Sequence, residues 1–507
     1  MFRIKFISRL ATAAVLRIYH TAYGINMISY AVSVFEDGLM VKDSPSMDFA
    51  PSASDILTVT QFANVFPLDA VTRTLDSLGC GTIRVREATN ERLVYFQLML
   101  ALFRECSYRA VYRTVQAALD QLESKEERAN TPTAAALTQG LDRLKPKVFE
   151  SLFHEFAVPA GQPGDRGIWF KNWRMVSIDG FTLATENTKP NRKYFEAPSN
   201  QHGSGGLPQL RCVCFVEVGS HLVFRAATGG YHDGEISLAR HLLPLVQKDW
   251  ILLADRNFYS FKFYKEVSEK GTALLFRLQR GMSLKSEQQL SDNSHIVTLY
   301  DAEDSKRESG LKARLIEYDV IGTKKKKRET FYLITNILDT NLASADELGR
   351  LYRQRWEHEN TLDEIKTHLN LSAITLRSKN PERVLQEFWA LLMAHYSIRL
   401  LMYKAAIRGK IDPDRLSYTH TVNVVKDNVT RQHNAQCHGC GISKTPTEKN
   451  LLEKVLEERL PARRSRTRAR GTRRREKFEP IKGKDKKTQK VDRRIKVRKG
   501  WSYNVPH

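Results

Sequence analysis

Residues 352–366 read YRQRWEHENTLDEIK, and the fold is decided by what this run is for. Tyr352, Arg355, Glu359 and Lys366 are spaced by 3, 4 and 7 residues. On a helix turning about 100° per residue, the four side chains fall within about 60° of one another. A face that carries a phenol, two cations and one carboxylate has two readings. It is either a solvated surface laced with i,i+4 ion pairs, or a surface that handles phosphate.

The charge of the chain bears on that choice. With 507 residues, 41% of them hydrophobic, the sequence is long enough for two or three domains around a sizeable core. Its net charge of +23 is unevenly placed: residues 461–499 hold 19 Lys and Arg against 4 Asp and Glu, a net +15 that leaves +8 for the first 460 residues. A polyanion is the expected partner, the alternative being a solubilising tail, and such a segment binds nucleic acid without sequence preference. The six cysteines (80, 106, 212, 214, 437 and 440) form no disulfide framework, which points to reduced thiols and a cytoplasmic setting. CHGC at 437–440, with His433 and His438 nearby, supplies zinc ligands only if further residues complete a tetrahedral set. No run reaches the 18 or so apolar residues of a membrane span, so no membrane partner is expected. The first 26 residues are basic and carry no acid, which fits either a transit-like leader or a translation start at Met27.

Along the chain, residues 1–60 give no clear pattern. Helical periods fill 61–130, with NERLVYFQLMLALF (90–103) a strongly apolar helix and SYRAVYRTVQAAL (107–119) a second one opening on Ser107 as N-cap. This pair is either a DNA-reading domain or a plain bundle. Residues 123–135 read as a linker or an exposed helix end. From 169 the period changes to short β-rich runs, WFKNWRMVSIDG, LRCVCFVEV and HLVFRAATG, followed by a helix at EISLARHLLPLV, the apolar strand DWILLADRNF, a helix over 259–269 and the strand TALLFRL. That order is an α/β mixed sheet with helices packed on it. Between 281 and 340 only strands are expected, with the basic tip TKKKKRE between two of them, and helix returns at 344.

Asp179 is placed at the end of the first strand and Asp255 at the end of the fourth, with Glu359 on the next long helix. A lone strand-end Asp is ordinarily a turn or cap residue. Two of them with a helical glutamate make a hard-oxygen set suited to Mg2+ or Mn2+. Two such ions, about 3.5–4 Å apart, serve both sides of a displacement at phosphorus.

SIDGFTLATENT (177–188), ILLADRNFYSF (251–261) and YRQRWEHENTLDEIK resemble the three motif regions of the DDE transposases of bacterial insertion sequences, specifically the insertion-sequence-four family. Its last region is Tyr, two residues, Arg, three residues, Glu, six residues, Lys, and Tyr352, Arg355, Glu359 and Lys366 match at every position. The likeness reaches ALFRECSYRAVYRTV and GGLPQLRCVCFVEVGSHL, and so covers about 65–405. It implies an RNase H-like catalytic core over 165–405, a β-strand insertion at about 281–340 before the last catalytic helix, and an N-terminal helical DNA-binding domain. A helical region (406–460) and the basic, disordered tail (461–507) follow.

Carried over, Asp179, Asp255 and Glu359 bind two metal ions, while Tyr352, Arg355 and Lys366 contact DNA phosphate. The implied activity is cleavage of terminal inverted repeats by an endonuclease and joining of the freed 3′-OH to target DNA, by a homodimer on paired ends. The rival readings are an RNase H-like nuclease without strand transfer and a non-catalytic nucleic-acid-binding protein. The sequence departs from the family at Asn257, where Gly is usual. It also has no Trp between Trp250 and Trp356 to hold a flipped base, a place Phe331 or Tyr332 can take.

Overall fold

The computed structural model describes residues 53–461, apart from 83–87, 124–129, 166, 201–202, 205, 280–281, 283, 322–327, 356–360, 369–374 and 432–447, together with 495–497. Glu359, Cys437, Cys440, residues 1–52 and nearly all of the basic tail lie outside these.

Among the described residues six helices come first: α1 (Ala53–Val65), α2 (Leu68–Ser77), α3 (Asn90–Leu102), α4 (Tyr108–Leu122), α5 (Ala134–Asp142) and α6 (Pro146–Phe156). Thr89 and Ser107 start α3 and α4, each hydroxyl accepting a hydrogen bond from a backbone N–H in the first turn. In α3 every residue from Arg92 to Leu102 is buried, as expected of a helix that is apolar all round. Its one buried cation, Arg92, is paired with Asp120 of α4.

The sheet follows. The strands β1 (Trp169–Phe170) and β2 (Trp173–Thr185) lead to α7 (Lys189–Phe195) and the two-residue strands β3 (Ser199–Asn200) and β4 (Gly203–Ser204). Then come β5 (Gln209–Glu217), β6 (Leu222–Gly229), α8 (Glu235–Leu242), β7 (Trp250–Ala254), α9 (Phe261–Ser268) and β8 (Ala273–Arg277). The central order is β6-β5-β2-β7-β8. β5 runs antiparallel to both β2 and β6, whereas β7 and β8 run parallel to β2. This is the RNase H-like mixed sheet. All of β7 is buried because both faces are covered. On one face Val176, Ile178, Leu252 and Ala254 pack with α8 and α9. On the other, Met175, Ile251 and Leu253 pack with α10 (Ala345–Gln354), which opens on a Ser344–Glu347 capping box.

The strand-only region of the sequence is β9 (Ser286–Gln289), β10 (His295–Leu299), β11 (Leu311–Ile321) and β12 (Arg328–Thr335). It is continuous with the core sheet, because β12 returns antiparallel to β8 and the order runs on as β8-β12-β11-β10-β9. A short strand, β13 (Thr375–Leu376), adds to β2. The 29-residue helix α11 (Pro381–Gly409), then α12 (Tyr418–Arg431) and α13 (Glu448–Val455), share one continuous apolar core with α1–α6 and the β2–β5 face.

Two expectations need correction. Asp179 does not end its strand: β2 continues to Thr185, paired with β5 as far as Ala184, while the parallel neighbour β7 stops opposite Ile178. The carboxylate is uncovered because its neighbour ends, not because its own strand does. Nor is 352–366 described as one uninterrupted α-helix. α10 ends at Gln354 with Arg355 as C-cap, and the chain beyond the undescribed 356–360 resumes at Thr361 and passes into a π-helical turn over Glu364–His368. A π turn holds more residues per turn than an α-helix, so the shared-face count for an α-helix does not extend to Lys366.

Candidate metal and phosphate site

Parallel pairing sets Ile178 opposite Ala254, so the next residues, Asp179 and Asp255, stand side by side where β7 ends. By strand alternation both belong to the face that packs on α10. Each carboxylate is oriented by its own turn. Asp179 Oδ1 accepts from the Gly180 N–H at 2.8 Å, and Asp255 Oδ1 from the Arg256 N–H at 2.7 Å as the cap of a 3-10 turn over Arg256–Phe258. Asn257 sits inside that turn with ordinary backbone angles, so the usual glycine is not needed.

Arg355 reaches the pair from α10, its Nη1 donating to Asp179 Oδ2 at 3.1 Å. Burial raises the Asp179 pKa, Arg355 and the Gly180 N–H pull it back, Asp255 pushes it up again, and the net direction is upward. Arg277 closes the other side, at 4.0 Å from Asp255 Oδ1, with its guanidinium 4.5 Å from the centre of the Phe331 ring. Phe331 in turn stacks on Tyr318. Behind the pair, a Cβ at residue 180 would lie 2.7 Å from Glu235 Oε1, so only glycine lets this third carboxylate come so close. Burial raises the Glu235 pKa, and although Arg211 opposes it, Asp179 and Asp255 add to the rise.

The Tyr352 hydroxyl donates to the Ala254 carbonyl at 3.2 Å, pinning α10 to the residue before Asp255. Burial drives its pKa upward. Lys366 holds its Nζ 5.5 Å from the centre of the Phe181 ring, two residues beyond Asp179 on β2. The structure therefore brings Asp179, Asp255, Tyr352 and Arg355 together and sets Lys366 beside them. Among the described residues no cluster of three or more His, Cys, Asp and Glu could by itself hold a metal. Two adjacent carboxylates, 22% and 26% exposed and flanked by guanidinium groups, fit a divalent ion that keeps positions open for phosphate oxygen.

The segment that follows Glu359 is fastened from behind. Thr361 Oγ1 lies 2.8 Å from His221 Nδ1, whose Nε2 lies 2.5 Å from Asp414 Oδ1. Glu364 takes both Arg399 and His395 of α11. Sequence reading missed Arg277, Glu235 and Glu364. Arg277 ends a strand whose parallel register sets it next to Asp255, and that register has no sequence signal.

Residues 174–396 match the family model described as "Transposase DDE domain", and residues 57–154 match "Insertion element 4 transposase N-terminal". The chain is similar to "Transposase InsG for insertion sequence element IS4" of Escherichia coli strain K12, at 26% identity over 72% of this chain and 82% of the relative. It is also similar to a second protein of that strain, named "Putative transposase InsZ", at 26% identity over 31% of this chain and 53% of the relative.

Proposed function

Because the chain belongs to the insertion-sequence-four family of DDE transposases, we propose that it binds the terminal inverted repeats of its element, cleaves them, and joins the freed 3′-OH to target DNA. The observation that carries this reading is the Asp179–Asp255 pair with Arg355 across it. Asp179, Asp255 and Glu359 would hold two divalent ions, Mg2+ or Mn2+, which would supply activation of the attacking oxygen and stabilisation of the leaving one.

The protein's own part is positional. Tyr352 fixes α10 against the end of β7, and its hydroxyl serves as a phosphate contact. Arg355 balances Asp179 and offers its guanidinium to DNA phosphate, with Lys366 as the second cation. Phe331 is held between Arg277 and Tyr318, so a displaced base stacks on it only by taking the place of one of them. Cutting and joining two ends calls for a homodimer on paired DNA.

A strand-transfer assay with a pre-cut terminal-repeat duplex and a supercoiled target tests the reading. Joined product in the presence of Mg2+ is expected. Nicking without joining would favour a nuclease on the same core, and binding with neither would leave a non-catalytic DNA-binding protein.

A further inference from the structure

A cavity of about 340 Å3 lies where the N-terminal helices meet the catalytic part, away from the carboxylate pair. α3, α4 and α5 form one wall, and β13 with the start of α11 forms the other. The cavity therefore sits on the seam between the two matched regions, 57–154 and 174–396. β13 ties this seam to the sheet. Its Leu376 pairs with Thr185 of β2, six residues beyond Asp179 and roughly 20 Å along the strand at about 3.3 Å per residue.

The lining carries more positive than negative charge. Arg104, Arg377, Lys379 and Arg383 share it with two carboxylates, Asp142 and Glu387. Glu387 is fully engaged: Oε1 accepts from Arg104 Nη2 at 3.1 Å and the Arg377 N–H at 3.2 Å, and Oε2 from the Ser378 hydroxyl at 3.0 Å and N–H at 3.2 Å. Asp142, half exposed, accepts from Arg383 Nη1 at 3.2 Å. Burial lowers the Arg104 pKa, Glu387 opposes the fall, and the like charge of Arg377 adds to it. Lys379 is exposed. An anion entering the cavity meets cations that the two carboxylates do not balance.

Two buried side chains of the lining also have polar atoms without a partner among the described residues. Gln97 of α3 is 4% exposed and its Oε1 is unbonded, and Arg383 of α11 is 7% exposed with its Nε unbonded. Buried polar atoms are ordinarily paired, so an unused acceptor and an unused donor around one cavity call for a ligand that supplies both complements. A Gln carboxamide carries acceptor and donor together and pairs bidentately with the edge of adenine. The apolar remainder, Leu100, Leu376, Leu391 and the Tyr108 ring, suits the faces of a base. A volume of about 340 Å3 holds a small ligand and excludes a duplex.

We propose that this cavity binds a single nucleotide, its base against Gln97 and the apolar side chains and its phosphate at Arg377 and Lys379. The nucleotide arrives free in solution or as an unpaired residue of a DNA strand. The second source rests on the transposase reading, and the first does not. Either way the ligand bridges the N-terminal helices and the segment that follows β13.

The test is calorimetric titration of the full-length protein with deoxyadenosine monophosphate, deoxyadenosine and inorganic phosphate, together with binding of two duplexes that differ only in one unpaired deoxyadenosine. The native chain is compared with Gln97→Leu, which removes the amide at similar size, and with Lys379→Glu at an exposed position that leaves the core untouched. Thermal midpoints check that both variants fold. For a free nucleotide, the monophosphate is expected to bind at least about tenfold more tightly than deoxyadenosine or phosphate, and each variant to weaken it about tenfold, the scale of one bidentate base contact or one charged hydrogen bond. For a strand nucleotide, the native chain is expected to prefer the duplex with the unpaired residue by about tenfold, a preference lost in both variants. Either pattern supports the site and identifies its source. A monophosphate bound no better than phosphate, together with equal binding of the two duplexes, would overturn it. Preferences that survive both variants would overturn it as well. Neither of these results touches the transposase reading, which the strand-transfer assay decides.

Discussion

Glu364 and Asp179 are both largely buried acids facing arginine, and their electrostatics run in opposite directions. At Glu364, burial raises the pKa, but Arg399 and His395 outweigh it and bring it down to about 2. At Asp179, burial also leads, Arg355 opposes it, and the like charge of Asp255 leaves the pKa raised. The first acid has its counter-charges to itself inside the core. The second shares its surroundings with another carboxylate at a partly open edge. Glu364 is bonded for structure, whereas Asp179 stands in a field that a cation would relieve.

The comparison is broken most forcefully at Glu364. Glu364→Gln leaves Arg399 buried without its carboxylate and is expected to lower stability by about 3–5 kcal/mol in urea titration. An unaltered unfolding midpoint would show that the cluster is not structural. Its pH dependence has a fixed sign. The folded pKa lies below the ordinary 4.5, so the contribution is complete above about pH 4.5 and is lost as pH falls towards 2. His395, whose pKa burial lowers from 6.5 although Glu364 opposes it, adds a loss in the same direction below about pH 6.5.

The aspartate pair should respond to cations instead. With free Mg2+ at a hundred times its dissociation constant, the native chain is expected to gain about 2.7 kcal/mol, read as a rise in thermal midpoint that disappears in Asp179→Asn. An equal rise in the variant would place the ion elsewhere. Next in size, Arg355→Ala should slow single-turnover cleavage at least tenfold, about 1.4 kcal/mol in the barrier, with DNA saturating. A lowered midpoint with normal cleavage would make Arg355 a structural partner of Asp179 only.

The smallest effect sharpens the contrast. Without divalent ions, Asp179→Asn should leave stability unchanged or raise it by less than about 1 kcal/mol near neutral pH. A raised folded pKa means that the ionised carboxylate is held at a cost there. A clear loss of stability would put Asp179 in the same class as Glu364.

Much of this was legible in the sequence. The alternation in 169–229 and the apolar run 250–254 marked strands, Ser107 marked a helix start, helix was expected again from 344, and the absence of helical period over 281–340 marked a strand-only region. Register was not legible. Nothing local shows that β2 outruns β7 at Asp179, that β8 ends with Arg277 beside Asp255, or that β12 folds back onto β8, because each depends on partners distant in sequence. β9, SEQQ, was missed because its side chains are polar and mostly exposed. The π turn at 364–368 was missed because the spacing of Tyr352, Arg355, Glu359 and Lys366 satisfies an α-helical count. Nothing local sets Glu364 apart from a surface charge, and only the arrival of Arg399 and His395 from α11 makes it a buried anchor.

The central claim is that the side-by-side carboxylates run the chemistry. Single-turnover cleavage of a terminal-repeat duplex in Mg2+, comparing the native chain with Asp255→Asn at saturating protein, tests it most directly. The account predicts a loss of at least a thousandfold, about 4 kcal/mol in the barrier, with duplex affinity and thermal midpoint nearly unchanged. Cleavage within a few-fold of the native rate would contradict it.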